Sequence, residues 1–302
     1  MRVAQVRRLQ GSKHGADRYM EMLHPSLEQA LSVLPPTCRV PLALALPPHR
    51  PGRPEHLAQQ LLDRIETHYG GRLHPAVCFE SGHAAALQAL ATACNSLGNG
   101  SIPLCLVAGV DSYLAPQTLE WLEDSEQLHG GGAQNNAWGF VPGEAAAAML
   151  IVTAHVRAHC PAPVQAEVMG VGTGHESMRI KTDTVCVGAG LTQAFRQALQ
   201  ALPPGSRVDN VFCDMNGEAY RADEYGFTAL RTREHFRDPT DFVAPADCWG
   251  DVGAAGAVLH VAMAAACCAR GYGRGPLSLV WGSSESGERG AALIQASFVH
   301  RE

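Results

Sequence analysis

Residues 75–92 read Pro-Ala-Val-Cys-Phe-Glu-Ser-Gly-His-Ala-Ala-Ala-Leu-Gln-Ala-Leu-Ala-Thr. The short apolar lead up to Cys78 predicts the end of a strand, and the alanine- and leucine-rich run after His83 predicts a buried helix. A cysteine at such a junction would lie near the positive end of the helix dipole, which favours the thiolate, the nucleophilic form. Cys78 is therefore a candidate nucleophile. The alternative is that Cys78 is a small buried apolar residue, as many free cysteines are.

The composition of the 302-residue chain provides ample material for a core. Hydrophobic residues make up 46% and charged residues 17%, and the formal net charge is −6. No cluster of Lys and Arg stands out, which makes nucleic acids and anionic membranes poor partners. The apolar runs are too short to span a bilayer, and residues 1–8 lack the apolar segment of a signal peptide. We therefore expect a cytoplasmic protein.

Neither the cysteine spacing nor the glycine-rich stretches indicate a bound metal or nucleotide cofactor. The 10 cysteines are scattered, without a Cys-x-x-Cys pair or a zinc-type His/Cys spacing, which predicts reduced thiols. The Gly-rich residues 170–174 lack the strand-turn-helix context of a dinucleotide site, and the chain contains no P-loop. We expect no cofactor and no metal.

Apolar runs and helical periodicity alternate along the chain, which predicts a layered α/β fold. Strands are predicted at residues 40–46, 102–108, 164–172, 208–214, 276–281 and 291–298. Helices are predicted at residues 25–34, 54–69, 116–123, 190–202 and 253–270. Residues 145–153 form a buried segment of either type, and residues 1–24 read as a loosely held arm. Pro161 and Pro163 predict a boundary between two halves, residues 1–160 with Cys78 and residues 161–302.

Five stretches together resemble the motifs of one enzyme family. They are residues 78–83 (CFESGH), 106–112 (LVAGVDS), 138–144 (WGFVPGE), 253–257 (GAAGA) and 282–293 (GSSESGERGAAL). In this order they are similar to the nucleophile elbow, the Gly-Gly-x-Asp/Glu turn, the Asp-Gly-Phe-x-x-Gly-Glu segment, the Gly-Ala-Ala-Gly helix start and the closing Gly-rich turn of the β-ketoacyl synthases. That family, the 3-oxoacyl-acyl carrier protein synthases, has the thiolase-like fold.

The resemblance implies two similar halves, each a five-stranded mixed sheet layered with helices. It implies fatty acid or polyketide biosynthesis, with acyl groups carried on acyl carrier protein or coenzyme A. In that family a Cys takes the acyl group and then condenses it with a malonyl thioester. Two further residues, two His or a His and an Asn, stabilise the enolate, and a backbone oxyanion hole holds the thioester carbonyl.

The chain departs from the family pattern at both partner positions. Asn216, in Asn216-Gly217-Glu218, stands where the first family His lies, and Asp251 stands where the second lies, with no Lys upstream. A carboxylate beside a developing enolate is repulsive, which argues against ordinary decarboxylative condensation. The resemblance assigns catalytic roles to Cys78, Asn216 and Asp251. The residues expected to contact substrate are His83, Asp214, Glu218, Ser286 and Gly287.

Two functional hypotheses follow from the resemblance, and a third from the acidic residues alone. The first is an acyltransferase of altered mechanism, in which Cys78 is the nucleophile, Asn216 an amide donor and Asp251 or Asp214 a base. The second is a catalytically silent member, either a partner subunit of an active ketosynthase or an acyl-chain-binding protein. The third is a divalent-cation site built from carboxylates, against the simpler interpretation of a solvated acidic rim. Its ligands would be Asp214, Glu218, Asp223 and Asp251.

The resemblance also bears on assembly and on the start of the chain. It implies a homodimer, or a heterodimer with an active ketosynthase, formed by pairing of an edge strand beside the nucleophile helix. The apolar residues 102–108 are the predicted edge, because a long apolar edge left unpaired promotes aggregation. A first strand is also expected ahead of the helix at residues 25–34. Residues 1–6 could supply that strand, or the chain is trimmed there.

Overall fold

The structure is a computed structural model that describes residues 2–9, 14–133, 135–158, 165–179, 182 and 184–297. Its strands are β1 (Val40–Ala45), β2 (Leu73–Phe79), β3 (Leu104–Ser112), β4 (Glu144–Val152), β5 (Ala166–His175), β6 (Asn210–Cys213), β7 (Phe242–Val243), β8 (Leu277–Ser283) and β9 (Glu288–Ala296). Its helices are α1 (Gly15–Leu31), α2 (Leu57–Tyr69), α3 (Ala85–Gly98), α4 (Pro116–Asp124), α5 (Ala154–Arg157), α6 (Ala189–Leu199), α7 (Ala219–Thr232), α8 (Ala246–Trp249) and α9 (Gly256–Ala269). The predicted α/β class is confirmed. The predicted boundary at Pro161 and Pro163 lies outside the described residues.

The first sheet has four strands in the order β2-β1-β3-β4. Strand β1 is parallel to β2 and β3, and β4 is antiparallel to β3. The expected fifth strand is absent from the described residues of this half. In the described residues, the N-terminal segment pairs with this sheet through one bridge, from Ala4 to Gly143 just before β4, so this sheet has four strands and the expectation of five is wrong for it.

The second sheet has the five strands that the resemblance implies, in the order β5-β9-β8-β6-β7. Strand β6 is parallel to β7 and β8, and β9 is antiparallel to both β8 and β5. Its four strands β7-β6-β8-β9 repeat the order and directions of β2-β1-β3-β4. The two sheets are therefore copies of one arrangement, and β5 is the strand without a counterpart in the described part of the first sheet.

The sheets and helices form five layers, and the middle layer packs against both sheets through alanine side chains. Helices α1 and α2 pack on the outer face of the first sheet, and α6 packs on the outer face of the second. Helices α3 and α9 lie between the sheets, where Ala89, Ala93, Ala257 and Ala264 are buried against side chains of both sheets. Small side chains let the two sheets approach closely enough to share one core.

Several predicted elements differ from the structure. Residues 1–24 are not wholly an arm, because α1 begins at Gly15 and buries Tyr19, Met20 and Leu23. Pro25 does not start this helix but lies inside it. Proline has no N–H for the carbonyl four residues earlier, and Arg8 donates to that carbonyl, of Glu21, instead (3.1 Å).

The predicted dimer edge is also wrong. Residues 104–108 of the predicted strand belong to β3, which is hydrogen-bonded to β1 on one side and β4 on the other, so it offers no free edge. Its apolar character reflects burial on both faces. The ambiguous segment at residues 145–153 is strand β4, and helix α7 was not predicted. No helix in the described residues has the length and apolarity needed to cross a membrane.

Candidate functional site

The two halves meet where the turns that lead into α3 and α9 contact the central strands. The backbone of each turn forms a short 3₁₀ segment, Gly82–Ala84 before α3 and Gly253–Ala255 before α9. Glycines on the facing strands allow close contact. A Cβ at Gly109 would lie 2.5 Å from the Ala254 carbonyl oxygen, and a Cβ at Gly282 would lie 2.9 Å from that of His83. Each strand therefore needs glycine where the turn of the other half crosses it.

Each turn is capped by a side chain from the opposite half. Asp111, at the end of β3, accepts a hydrogen bond from the N–H of Ala254 (3.0 Å) and pairs with the buried Arg50. Ser284, just after β8, accepts one from the N–H of Ala84 (2.9 Å). Each cap satisfies a donor that the start of a helix leaves open. The caps therefore bind the two halves to each other.

Three predicted site residues meet at the centre of this contact. His83 Nε2 lies 2.9 Å from both carboxylate oxygens of Asp251, and the side-chain amide of Asn216 donates to Asp251 (2.6 Å). The N–H of Gly253 donates to the same carboxylate (2.8 Å). All three side chains are buried. Asp251 is thus saturated by partners from both halves.

A buried arginine holds the other two predicted acids. Arg221 donates to Asp214 (2.8 Å) and to Glu218 (3.3 Å), and only 1% of its surface is exposed. Its Nη2 lies 3.4 Å from His83 Nε2. Tyr220 donates its hydroxyl to Glu218 (2.8 Å). We call His83, Asp214, Asn216, Glu218, Arg221 and Asp251 the charge cluster.

Opposing effects set the protonation of the pair at its centre. Burial disfavours the imidazolium, but the charge of Asp251 and its hydrogen bond outweigh burial and raise the pKa of His83. Burial also disfavours the carboxylate, yet His83 and Arg221 hold the pKa of Asp251 well below its usual range. Both shifts favour an imidazolium bound to a carboxylate.

Little space remains beside the cluster. A cavity of about 10 Å³ is lined by His83, Asp214, Asp251 and His260, among others. Burial lowers the pKa of His260 to about 4, so this imidazole is neutral at pH 7, and it stacks on Trp249. Two buried polar atoms have no hydrogen-bond partner, Asp214 Oδ1 and His260 Nδ1. A cavity of this volume holds about one water molecule, and that water would serve such atoms.

Cys78 lies apart from the cluster. It is inside strand β2, four residues before the turn at Gly82, and its side chain packs against the core beneath α1 and α2. Burial and the nearby Glu80 raise the pKa of its thiol to about 11. Burial and Glu80 therefore oppose the thiolate that the helix-dipole argument predicts at this position. The structure gives no contact between Cys78 and Asn216 or Asp251.

The remaining predicted residues, Asp223, Ser286 and Gly287, lie outside the charge cluster. Ser286 is exposed and bonds to Glu288, and Gly287 packs on His175 and Glu176, so neither reaches the cluster. Asp223 is exposed on α7. Because Asp214, Glu218 and Asp251 already face Arg221, His83 and Asn216, they do not form an open carboxylate site for a cation.

Two residues that hold the site were not identified from the sequence. Arg221 follows Glu218 by three positions at the start of α7, a spacing that places the two on one helix face, but α7 itself was not predicted. Ser284 lies in a Ser-rich turn where nothing marks one serine as a cap. Asp111 was seen only as part of a family-like turn. Its role depends on a contact with residues 143 positions away.

Comparisons with known proteins agree with this architecture. Residues 70–156 match the family described as beta-ketoacyl synthase, N-terminal domain. No curated protein sequence matches the chain.

Solved ketosynthase structures are similar at low sequence identity. One is the ketosynthase from module 6 of the bacillaene synthase of Bacillus subtilis 168, with a TM-score of 0.73, 14% identity, and coverage of 93% of this chain and 59% of that chain. Another is a type II polyketide synthase ketosynthase bound to a hexaketide and in complex with its acyl carrier protein (TM-score 0.77, 14% identity, 97% and 87% coverage). A third is an oxazolomycin ketosynthase domain of Streptomyces albus JA3453 (0.69, 13%, 91% and 57%).

The chain spans less than two thirds of the length of two of these three proteins. At such identities the similarity establishes the fold, which is the thiolase-like fold of two related halves that the motifs imply. The sequence-based resemblance is therefore confirmed: residues 70–156 are similar to the N-terminal domain of the β-ketoacyl synthases, and the fold of the chain is similar to that of solved ketosynthases.

Proposed function

We propose that the chain is a non-condensing, ketosynthase-like partner subunit. The observation that carries the proposal is the pairing of Asp251 with His83 and Asn216 beside a cavity of about 10 Å³. An acyl group needs far more space, since ligand pockets are typically about 300–1,000 Å³. Charged side chains of this protein occupy the place where a substrate would be expected.

The chemical requirements of acyl transfer also argue for this proposal. A thiol with a pKa of about 11, such as Cys78, is almost fully protonated at pH 7 and is a weak nucleophile. Two N–H groups of the α3 turn are already used, that of Gly82 toward Leu46 and that of Ala84 toward Ser284. An oxyanion hole requires donors that remain open for the thioester oxygen. The Asp251 carboxylate would in addition repel an enolate.

The assembly that we propose uses the edge strand β2. This strand pairs with β1 alone among the described strands, and the side chain of Val77 on it is 56% exposed. An edge with exposed apolar residues favours pairing with a second strand. We propose a dimer across β2, either with a second copy or with an active ketosynthase whose acyl carrier protein or acyl-CoA then acts at the active subunit.

Acyl transfer by Cys78 is the competing function, and mass spectrometry separates the two. The protein, its Cys78→Ala variant and, as a matched control, Cys248→Ala at an exposed cysteine are incubated with acyl-CoA and acyl-carrier-protein thioesters. We expect the intact masses to stay unchanged in all three. An acyl adduct that is retained in Cys248→Ala and lost in Cys78→Ala would overturn the proposal and establish Cys78 as the nucleophile.

The assembly is tested by sedimentation of the wild type and of Val77→Lys. We expect a wild-type dimer at micromolar concentration and a monomer in the variant, because a lysine ammonium resists burial between paired strands. Val243→Lys is the control, since Val243 is also an exposed valine on an edge strand, β7. A monomeric wild type, alone and with a co-expressed ketosynthase, would overturn the pairing. So would equal effects of the two lysines.

A further inference from the structure

A second buried cluster lies on the outer side of the second sheet and shares no residue with the charge cluster. Glu176 follows β5 directly, Cys186 precedes α6, and Glu224 lies on α7. Each offers one ligand atom, and these atoms lie within 4.8 Å of one another. The two carboxylates are buried, with exposed fractions of 1% and 0%. Three separate elements thus bring oxygen, oxygen and sulfur together.

The carboxylates of this second cluster are unequally satisfied. Both oxygens of Glu176 accept backbone hydrogen bonds, from Met178 (3.1 Å) and from Gly190 (2.9 Å). Glu224 accepts from the buried Arg289 through Oε1 (2.5 Å). Its other oxygen, Oε2, is buried and has no hydrogen-bond partner. A buried carboxylate oxygen without a partner is costly, and it indicates that a donor or a cation belongs there.

Charge balance points to a divalent cation. With the thiol protonated, two carboxylates face one guanidinium, which leaves one negative charge in a buried place. When a divalent cation binds, the thiol proton leaves to solvent as the metal–sulfur bond forms. Three anionic ligands are then balanced by the cation and Arg289. Buried charges are tolerated when they are balanced in this way.

We propose that Glu176, Cys186 and Glu224 bind a divalent transition-metal ion of the zinc class. Thiolate favours zinc over magnesium or calcium, which prefer oxygen ligands alone. Three protein ligands leave a fourth tetrahedral position, and the half-buried Cys186 leaves it accessible to water. The ion would tie the segment before α6 to α7 and β5. None of its three ligands belongs to the charge cluster, so the proposed function and the metal site stand or fall separately.

Calorimetry with zinc chloride, in the presence of excess magnesium, tests the site. The proteins are the wild type, Cys186→Ser, Glu176→Gln and, as a control, Cys248→Ser at an exposed cysteine. We expect one ion per chain for the wild type and the control. Loss of a direct ligand should weaken binding by at least the roughly tenfold to hundredfold seen when outer partners of a metal are removed. Circular dichroism establishes that each variant is folded.

Cobalt(II) provides a second readout that depends on the sulfur ligand. The thiolate-to-cobalt absorption band should appear in the wild type and in Cys248→Ser and be missing in Cys186→Ser. Absence of stoichiometric binding to the folded wild type would overturn the proposal. Equal weakening by Cys186→Ser and Cys248→Ser would overturn it too, since the ion would then be bound by surface groups.

Discussion

The turns that lead into α3 and α9 share a backbone shape but carry different side chains. Gly82 and Gly253 both have positive φ, 79° and 47°, and each begins a short 3₁₀ segment that leads into an alanine-rich helix. The residue after the glycine is His83 in the first half and Ala254 in the second. Two residues before the glycine stand the exposed Glu80, which pairs with the buried Arg53, and the buried Asp251. The same backbone conformation thus carries different charged side chains in the two halves.

The difference between the halves shows where the cluster obtains its charge. After β1 the first half continues with Leu46 and Pro47, whereas after β6 the second half continues with Asp214 and Asn216. The first half contributes His83 as its one member of the charge cluster. The acidic residues of the charge cluster thus all lie in the second half, and the histidine that pairs with Asp251 lies in the first. Changes on either side should therefore weaken the contact between the halves.

The largest effect is expected from Arg221→Leu. This change leaves Asp214 and Glu218 buried without their cation, and breaking a buried ion pair costs about 3–5 kcal/mol. Urea denaturation measures the loss, with Arg207→Leu at an exposed position as the control, expected within about 0.5 kcal/mol of wild type. A loss below about 1 kcal/mol for Arg221→Leu would mean that the cluster contributes little to the contact between halves.

The two glycines give the most direct test of the comparison. Alanine at either position adopts positive φ at a cost of about 1–2 kcal/mol. At Gly82 the new Cβ would lie 3.0 Å from Pro48, a tight contact, whereas at Gly253 it would overlap the carboxylate of Asp111, which caps Ala254. Displacing that cap adds about 1–3 kcal/mol. We expect Gly253→Ala to be the more destabilising in urea, and equal losses would contradict the view that only the second turn is closed by a buried carboxylate.

His83→Ala should cost about 1.5–3 kcal/mol, the value of hydrogen bonds to charged groups. Because the folded state raises the pKa of His83 above its unfolded value of about 6.5, the loss is full below that pH. It shrinks as the pH rises through the raised pKa. On the acid side, the contribution of Asp251 begins to fall below about pH 4 and is lost as the pH falls through its lowered folded-state pKa.

Unfolding free energies at a series of pH values, with the exposed His129→Ala as the control, give this profile. The difference between wild type and His83→Ala should form a plateau from about pH 4 to 6.5 and fall at higher pH. A difference that grows as the pH rises would mean that the neutral imidazole is the form stabilised by folding.

The smallest effect is expected from Ser284→Ala. Loss of a neutral cap costs about 1 kcal/mol. Because Ser284 is uncharged, its removal leaves no charged side chain without a partner. Its counterpart Asp111→Ala should cost more, because Arg50 loses its carboxylate partner. Thermal unfolding of the two variants side by side measures the ranking. A larger loss for Ser284→Ala than for Asp111→Ala would contradict the view that the turn before α9 is the one capped by a charged side chain.

Part of the site could be predicted because it lies in motifs with local order. The strand ends, the Gly-Ala-Ala-Gly turn and the departures at Asn216 and Asp251 are readable along the chain, and these two residues do meet. Cys78 shows the limit of such reasoning. Successive side chains of a strand alternate between faces, so Cys78 packs toward α1 and α2 while Phe79 packs toward α3 and α9. A shift of one position along the strand therefore moves a side chain from the face covered by α1 and α2 to the face covered by α3 and α9.

The sequence by itself determined the α/β class, the order of most elements, the family resemblance and the unusual Asn216 and Asp251. These follow from hydrophobic periodicity, turn residues and short motifs, which are local properties. Only the tertiary structure decided that His83 pairs with Asp251, 168 positions away, and that Arg221 binds the buried acids. It also decided that β3 is an interior strand and β2 an edge strand. Charge pairing, burial and strand neighbours depend on contacts between distant segments, and no local pattern specifies them.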